Sequence, residues 1–92
     1  MNKYPIAHYK RSASDWFING GRLIITENEC IIKNFFKEVV RFNLSSLRVK
    51  RIPDELFYKG LNFSDRYHNY DLYFYPKTAN KLYSFFRFQI GT

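Results

Sequence analysis

Apolar positions along the chain fall in short runs, each closed by turn-forming residues at regular intervals. That rhythm predicts an antiparallel sheet, because parallel strands need crossovers of about a dozen residues or more. Trp16-Phe17-Ile18 and Arg22-Leu23-Ile24-Ile25-Thr26 flank Asn19-Gly20-Gly21. There Asn and Gly supply the positive φ of a tight hairpin turn at little steric cost. Cys30-Ile31-Ile32-Lys33-Asn34 and Val39-Val40-Arg41-Phe42-Asn43 are the third and fourth runs, separated by Phe35-Phe36-Lys37-Glu38. In the fifth, Leu47 and Val49 alternate with Arg48 and Lys50, so one face is apolar and the other basic. Pro53-Asp54 breaks the pattern, and Leu61-Asn62-Phe63-Ser64 is the sixth strand. Tyr70-Asp71-Leu72-Tyr73-Phe74-Tyr75, ended by Pro76, is the seventh. In Ile24-Ile25 and Ile31-Ile32 both faces are apolar, which leaves the parity of those strands open and makes one face a candidate oligomer contact.

The period changes in the last segment. Ala79, Leu82, Tyr83, Phe86 and Ile90 form one stripe of an amphipathic helix, with Thr78 as N-cap and Gly91 as the C-terminal stop. Residues 1–13, with Pro5 and several basic or His side chains, read as an irregular lead-in or an edge strand. Residues 14–92 form the domain: seven strands and one helix, a mainly β architecture. The predicted core sets Leu82, Phe85, Phe86 and Ile90 against Trp16, Leu23, Ile25, Ile32, Val40, Phe42, Leu47, Val49, Leu72 and Phe74.

At 92 residues there is room for one core and no second. Composition sharpens this picture in two respects, a formal charge of +7 and an aromatic content of 21%. Nearly half the chain is Phe, Tyr, Ile, Asn, Lys and Met, residues with A/T-rich codons, so mutational bias contributes to both. The single cysteine, Cys30, excludes an internal disulfide and fits a reducing compartment. No apolar run is long enough for a membrane helix, and residues 1–5 hold no apolar signal-type segment, so a cytoplasmic location is expected.

Gly21-Arg22-Leu23-Ile24-Ile25-Thr26 followed by Cys30-Ile31-Ile32-Lys33 resembles the hairpin that opens GRAM and bacterial PH-like domains. Leu44-Ser45-Ser46-Leu47-Arg48-Val49 is similar to the segment where those domains turn a corner into the next strand. The resemblance implies a seven-stranded antiparallel PH-like barrel of two orthogonal sheets, capped by the C-terminal α-helix. It further implies a non-catalytic binding or oligomerisation module. Phosphoinositide-binding members of the superfamily carry several basic residues across the first hairpin. Here the matching turn, Asn19-Gly20-Gly21-Arg22, carries Arg22 alone, so specific phosphoinositide binding is not expected.

Catalytic chemistry finds little to use. His8 lies in the lead-in and His68 in a polar turn, while Cys30 sits in an apolar run as a small hydrophobe. Asp65, His68 and Asp71 have metal-ligand spacing but read better as a solvated turn. No glycine-rich phosphate loop precedes a helix. We therefore expect no enzyme, no cofactor and no metal. Two candidate surfaces remain. A basic strip of Lys33, Lys37, Arg41, Arg48, Lys50 and Arg51 suits a single-stranded nucleic acid or, weakly, an anionic membrane surface. An aromatic surface of Phe36, Tyr67, Tyr70, Tyr73, Tyr75 and Tyr83 suits a protein or peptide partner or self-association, the leading expectation.

Overall fold

A computed structural model describes residues 2–14 and 16–90. Seven strands, β1 (Asn2–Arg11), β2 (Ile18–Ile25), β3 (Glu29–Lys33), β4 (Glu38–Asn43), β5 (Arg48–Glu55), β6 (Tyr58–Ser64) and β7 (Asn69–Phe74), precede helices α1 (Pro76–Phe85) and α2 (Arg87–Ile90). All pairings are antiparallel, in the order β4-β3-β2-β1-β7-β6-β5. The mainly β class and the strand count agree with the sequence pattern. Hydrogen bonding runs unbroken through β1, so the architecture is one continuous sheet curled into a half-barrel, with α1 laid against its concave face.

The seven strands are not the seven runs read from the sequence. Residues 2–11, expected as an irregular lead-in or an edge, form the central strand β1, paired to β2 on one side and β7 on the other. Pro5 is tolerated because β7 pairs only with the section from His8 to Arg11; at Pro5 the strand has a partner on the β2 side alone. Asn19-Gly20-Gly21 is not a hairpin turn but lies within β2, which merges the first two expected strands. Ile6 and Tyr9, three residues apart, both enter the core, so β1 switches face between them. Gly20, with φ +77°, lies between the register partners of Ile6 and His8, where that irregularity is absorbed. The break expected at Pro53-Asp54 is a register shift between Ile52 and Glu55 rather than the end of a strand: β5 runs on to Glu55, and Leu56-Phe57 turns the chain into β6, with Leu56 at φ 55°.

The core holds Leu23, Ile25, Ile32, Val40, Phe42, Leu47, Val49, Leu72, Phe74, Leu82 and Phe86, as expected from the alternation, with Ile90 packed against it. The parity question resolves in the same way for both pairs. Leu23, Ile25, Cys30 and Ile32 face inward, while Ile24 and Ile31 lie on the outer face in a row flanked by Lys3 and Arg41. Trp16 and Phe85 are corrections, since both are exposed. The N-cap lies three residues before the expected one. Pro76 occupies the first turn, where its missing N–H costs nothing, and Tyr75 is the N-cap in the extended backbone that a residue before proline prefers. Thr78 is buried inside that turn. The stop assigned to Gly91 lies outside the described residues. No described helix is long and apolar enough to cross a membrane.

Candidate functional site

Three connections meet at one end of the half-barrel, and short polar residues shape each. In residues 34–37 the Asn34 carboxamide oxygen accepts the N–H groups of Phe36 (2.8 Å) and Lys37 (2.9 Å), closing an Asx turn. Phe35 and Phe36 are thereby held at the tip, 87% and 95% exposed. The Asn34 amide donates to the Tyr9 hydroxyl at 3.3 Å, tying the turn to β1. Between β1 and β2, the Ser14 hydroxyl accepts the Trp16 N–H, and Trp16 is 84% exposed. Between β6 and β7, Asp65 accepts the N–H groups of Tyr67 and His68, both at 2.8 Å, leaving Tyr67 exposed. The β1–β2 and β6–β7 connections adjoin, because the Ser12 N–H donates to the Asn69 carbonyl at 2.9 Å.

A cleft of about 480 Å3 opens among these elements, walled by Tyr9, Trp16, Ile18, Val39 and Tyr70 and lined by Lys10, Arg11, Ser14, Asn34 and Lys37. A second cleft, about 310 Å3, lies on the other side of Asn34 and is lined by Gly21, Arg22, Asn34 and Phe35. Among the described residues no carboxylate lines either cleft. The Lys and Arg side chains that pair with described carboxylates are Arg41, held by Glu29 and Glu38, and Lys59, held by Asp54. Lys10, Arg11, Arg22 and Lys37 make no such pair, and Arg22 stands directly opposite Lys33 across β2 and β3. Lys10 does lie over the Phe17 ring, 4.9 Å from its centroid. It also faces Asp71 across β1 and β7, and Lys33 faces Glu38 across β3 and β4. Arg11, Arg22 and Lys37 are left with no described carboxylate opposite them, and an incoming anion supplies that charge.

The expected basic strip divides. Lys33 and Arg41 lie on the neighbouring strands β3 and β4, with Lys37 in the turn between them. Arg48, Lys50 and Arg51 lie on β5, at the opposite margin of the sheet. Arg41 is committed to two carboxylates: its guanidinium holds the Glu38 carboxyl below its usual value, and Glu38 and Glu29 in turn raise Arg41 further. Arg51 departs from Arg48 and Lys50 and stacks on Tyr83 of α1, 3.9 Å from the ring centroid. Arg48 lines a polar groove of about 580 Å3 with Ser45, Ser46, Ser64, Arg66 and the carboxylate of Asp65. Lys37 alone of the six lines the aromatic cleft.

The expected aromatic surface is likewise not one surface. Tyr70 lines the cleft, while Phe36 and Tyr67 stand on the connections around it. Tyr73 is buried in a second cluster on the outer face, stacked on His8 at 4.9 Å, with Phe17 packed edge-on against both rings. Tyr75 extends that cluster through Tyr58, and Tyr83 belongs to the helix. His8 Nε2 is buried there without a hydrogen-bond partner, 3.9 Å from a Glu55 oxygen. Asp65, His68 and Asp71 do not converge. Asp65 closes its own turn with His68 Nδ1 at 3.3 Å, whereas Asp71 accepts from the Asn62 amide at 2.8 Å. Among the described residues no three His, Cys, Asp or Glu side chains gather as metal ligands do. Burial pushes the Cys30 thiol up to about 12.

Trp16, Lys10 and Arg11 were missed as site residues. Trp16 was assigned to the core because it opens an apolar run, and Lys10-Arg11 fell in the supposed lead-in. The signal available was the Arg11-Ser12-Ala13-Ser14 stretch, whose small polar residues mark a connection between strands rather than the end of a tail. What fold and cleft define is a half-barrel with a helix on its concave face and an aromatic, basic cleft at one end. Compared with protein-family models, curated proteins and solved structures, the chain finds no match.

Proposed function

We propose that the protein is a PH-like, non-catalytic binding module whose working surface is the cleft between the β1–β2 and β3–β4 connections, and that its partner is anionic. The PH-like reading is supported by the two meanders β1–β4 and β5–β7 joined through β1 and β7, the corner at residues 44–47 and the C-terminal helix on the concave face. One observation carries the anionic partner: Lys10, Arg11 and Lys37 share an aromatic cleft with no described carboxylate. A lining of rings and cations suits a ligand that carries both a planar or apolar part and negative charge.

Trp16 is the sole tryptophan and stands in this cleft, so its emission reports occupancy directly. Titration with heparin should shift and quench that emission, with affinity falling steeply across a salt series. Lys37→Glu should weaken the response without changing the thermal unfolding midpoint. Emission unchanged at every heparin concentration in low salt rejects the anionic partner.

A second surface favours self-association. Leu44, Phe85 and Phe88 line a small apolar groove at the end of the helix, and both phenylalanines are exposed. Self-association there predicts a mass by light scattering that rises with concentration and returns to the monomer value in Phe88→Glu.

A further inference from the structure

We infer that the anionic partner is a single-stranded nucleic acid, bound across the two adjoining clefts with little regard to base sequence. This rests on the cleft being the working surface and adds what fills it. The two clefts repeat one motif: Trp16 with Lys10 and Lys37 on one side of Asn34, Phe35 with Arg22 on the other. A single strand is the anion with that periodicity, since each nucleotide brings one planar ring to stack and one phosphate to neutralise. Each cleft is near the small end of ligand-pocket volumes, of order 300–1,000 Å3, which suits one base apiece rather than a duplex. A duplex also keeps its base faces inside the stack, where Trp16 and Phe35 cannot reach them.

The polar groups between the rings explain the lack of sequence preference. The Asn34 carboxamide oxygen is occupied by Phe36 and Lys37 N–H groups, and its amide is donated to Tyr9. The Ser14 oxygen already accepts from the Trp16 backbone. Base edges therefore meet few uncommitted partners, and stacking plus phosphate contact supplies the affinity. Rings at the tips of connections flanked by cations also suit an anionic bilayer, and a vesicle probe separates that occupant from a nucleic acid.

The test uses the full chain and the Trp16 signal with four probes: oligothymidylate, a mixed-sequence duplex of the same length, heparin, and vesicles containing phosphatidylserine. Oligothymidylate should quench the emission and bind more tightly than the duplex, with oligoadenylate close behind. The salt slope should be about −0.7 for each phosphate contacted. Phe35→Ala, at an exposed tip, should weaken oligothymidylate about tenfold or more and leave heparin unchanged. If Phe35→Ala leaves oligothymidylate affinity intact, or the duplex binds as well as the strand, the nucleic-acid inference falls while a response to heparin keeps the anionic reading. Binding to vesicles with none to oligothymidylate also overturns it, in favour of a membrane surface. No response to any probe overturns both.

Discussion

Gly60 shows how a single position constrains the outer face. A Cβ there would lie 2.7 Å from Ile52 Cγ1, 2.9 Å from the Pro53 carbonyl oxygen and 3.1 Å from the Tyr73 ring. Replacing glycine by alanine at an unstrained site stabilises by about 0.4–1 kcal/mol through the unfolded chain. Here the overlap reverses the sign, because overpacking costs about 1–3 kcal/mol. Gly60→Ala should therefore lower the urea midpoint, and an unchanged or raised midpoint would contradict the close packing of Tyr73 over β6. Cys30 offers a second reading at this scale. With its thiol pushed up to about 12 by burial, it carries almost no thiolate at pH 8. A thiol reagent at that pH should leave the native protein unmodified and label it stoichiometrically in guanidinium chloride. The sequence marks Cys30, buried in the structure, as a small hydrophobe in an apolar run. It could not single out Gly60, since nothing local shows that Tyr73 will lie over that backbone.

At the scale of elements, the margin strand β5 and the C-terminal helices secure each other. Gln89 of α2 accepts the Val49 N–H at 2.8 Å, occupying a backbone donor on an exposed sheet edge. Arg51 stacks on Tyr83 nearby, while Leu82 and Phe86 fill the concave face. Gln89→Ala should cost about 1 kcal/mol and raise the exchange rate of the Val49 amide selectively, with the amides of β1 and β2 unaffected. Equal loss of protection throughout the sheet would mean that Gln89 acts on global stability instead. The helix was legible from its period and from Pro76. The element most poorly read was β1, and for an identifiable reason. Its residues His8 and Lys10 carry polar groups because they serve the outer face and the cleft, so the strand lacks the apolar signature of a central position. Two errors then compensated: β1 was omitted and β2 was counted twice.

For the whole molecule, charge dominates. The formal charge is +7 at neutral pH, and acidification raises it as carboxylates protonate. Burial works to raise the Asp65 carboxyl, but the N–H groups of Tyr67 and His68, with the His68 ring, outweigh it and hold its pKa low. The Lys59 ammonium, the Gly60 N–H and nearby Arg51 hold Asp54 low, against some desolvation. A carboxyl whose pKa is lower when folded contributes stability above its unfolded value, about 4, and loses it as pH falls through the folded value. The urea midpoint should therefore be flat from pH 7 to about pH 5 and fall below pH 4. Asp65→Asn should flatten that acid limb, and an unaltered limb would show that the turn carboxylate contributes nothing to it.

The sequence by itself determined the β class, the inward positions of β4 and the helix that fills the concave face. These follow from period and side-chain polarity, which act over a few residues. Only the tertiary structure decided which charges gather. Sheet order sent Arg48, Lys50 and Arg51 to one margin and Lys33 and Arg41 toward the other, and ion pairing and stacking then engaged Arg41 and Arg51. The same folding brought Lys10, Arg11, Trp16 and Lys37 around one cleft. Residues distant in sequence become neighbours through strand pairing, and no local pattern of polarity encodes which connections will meet.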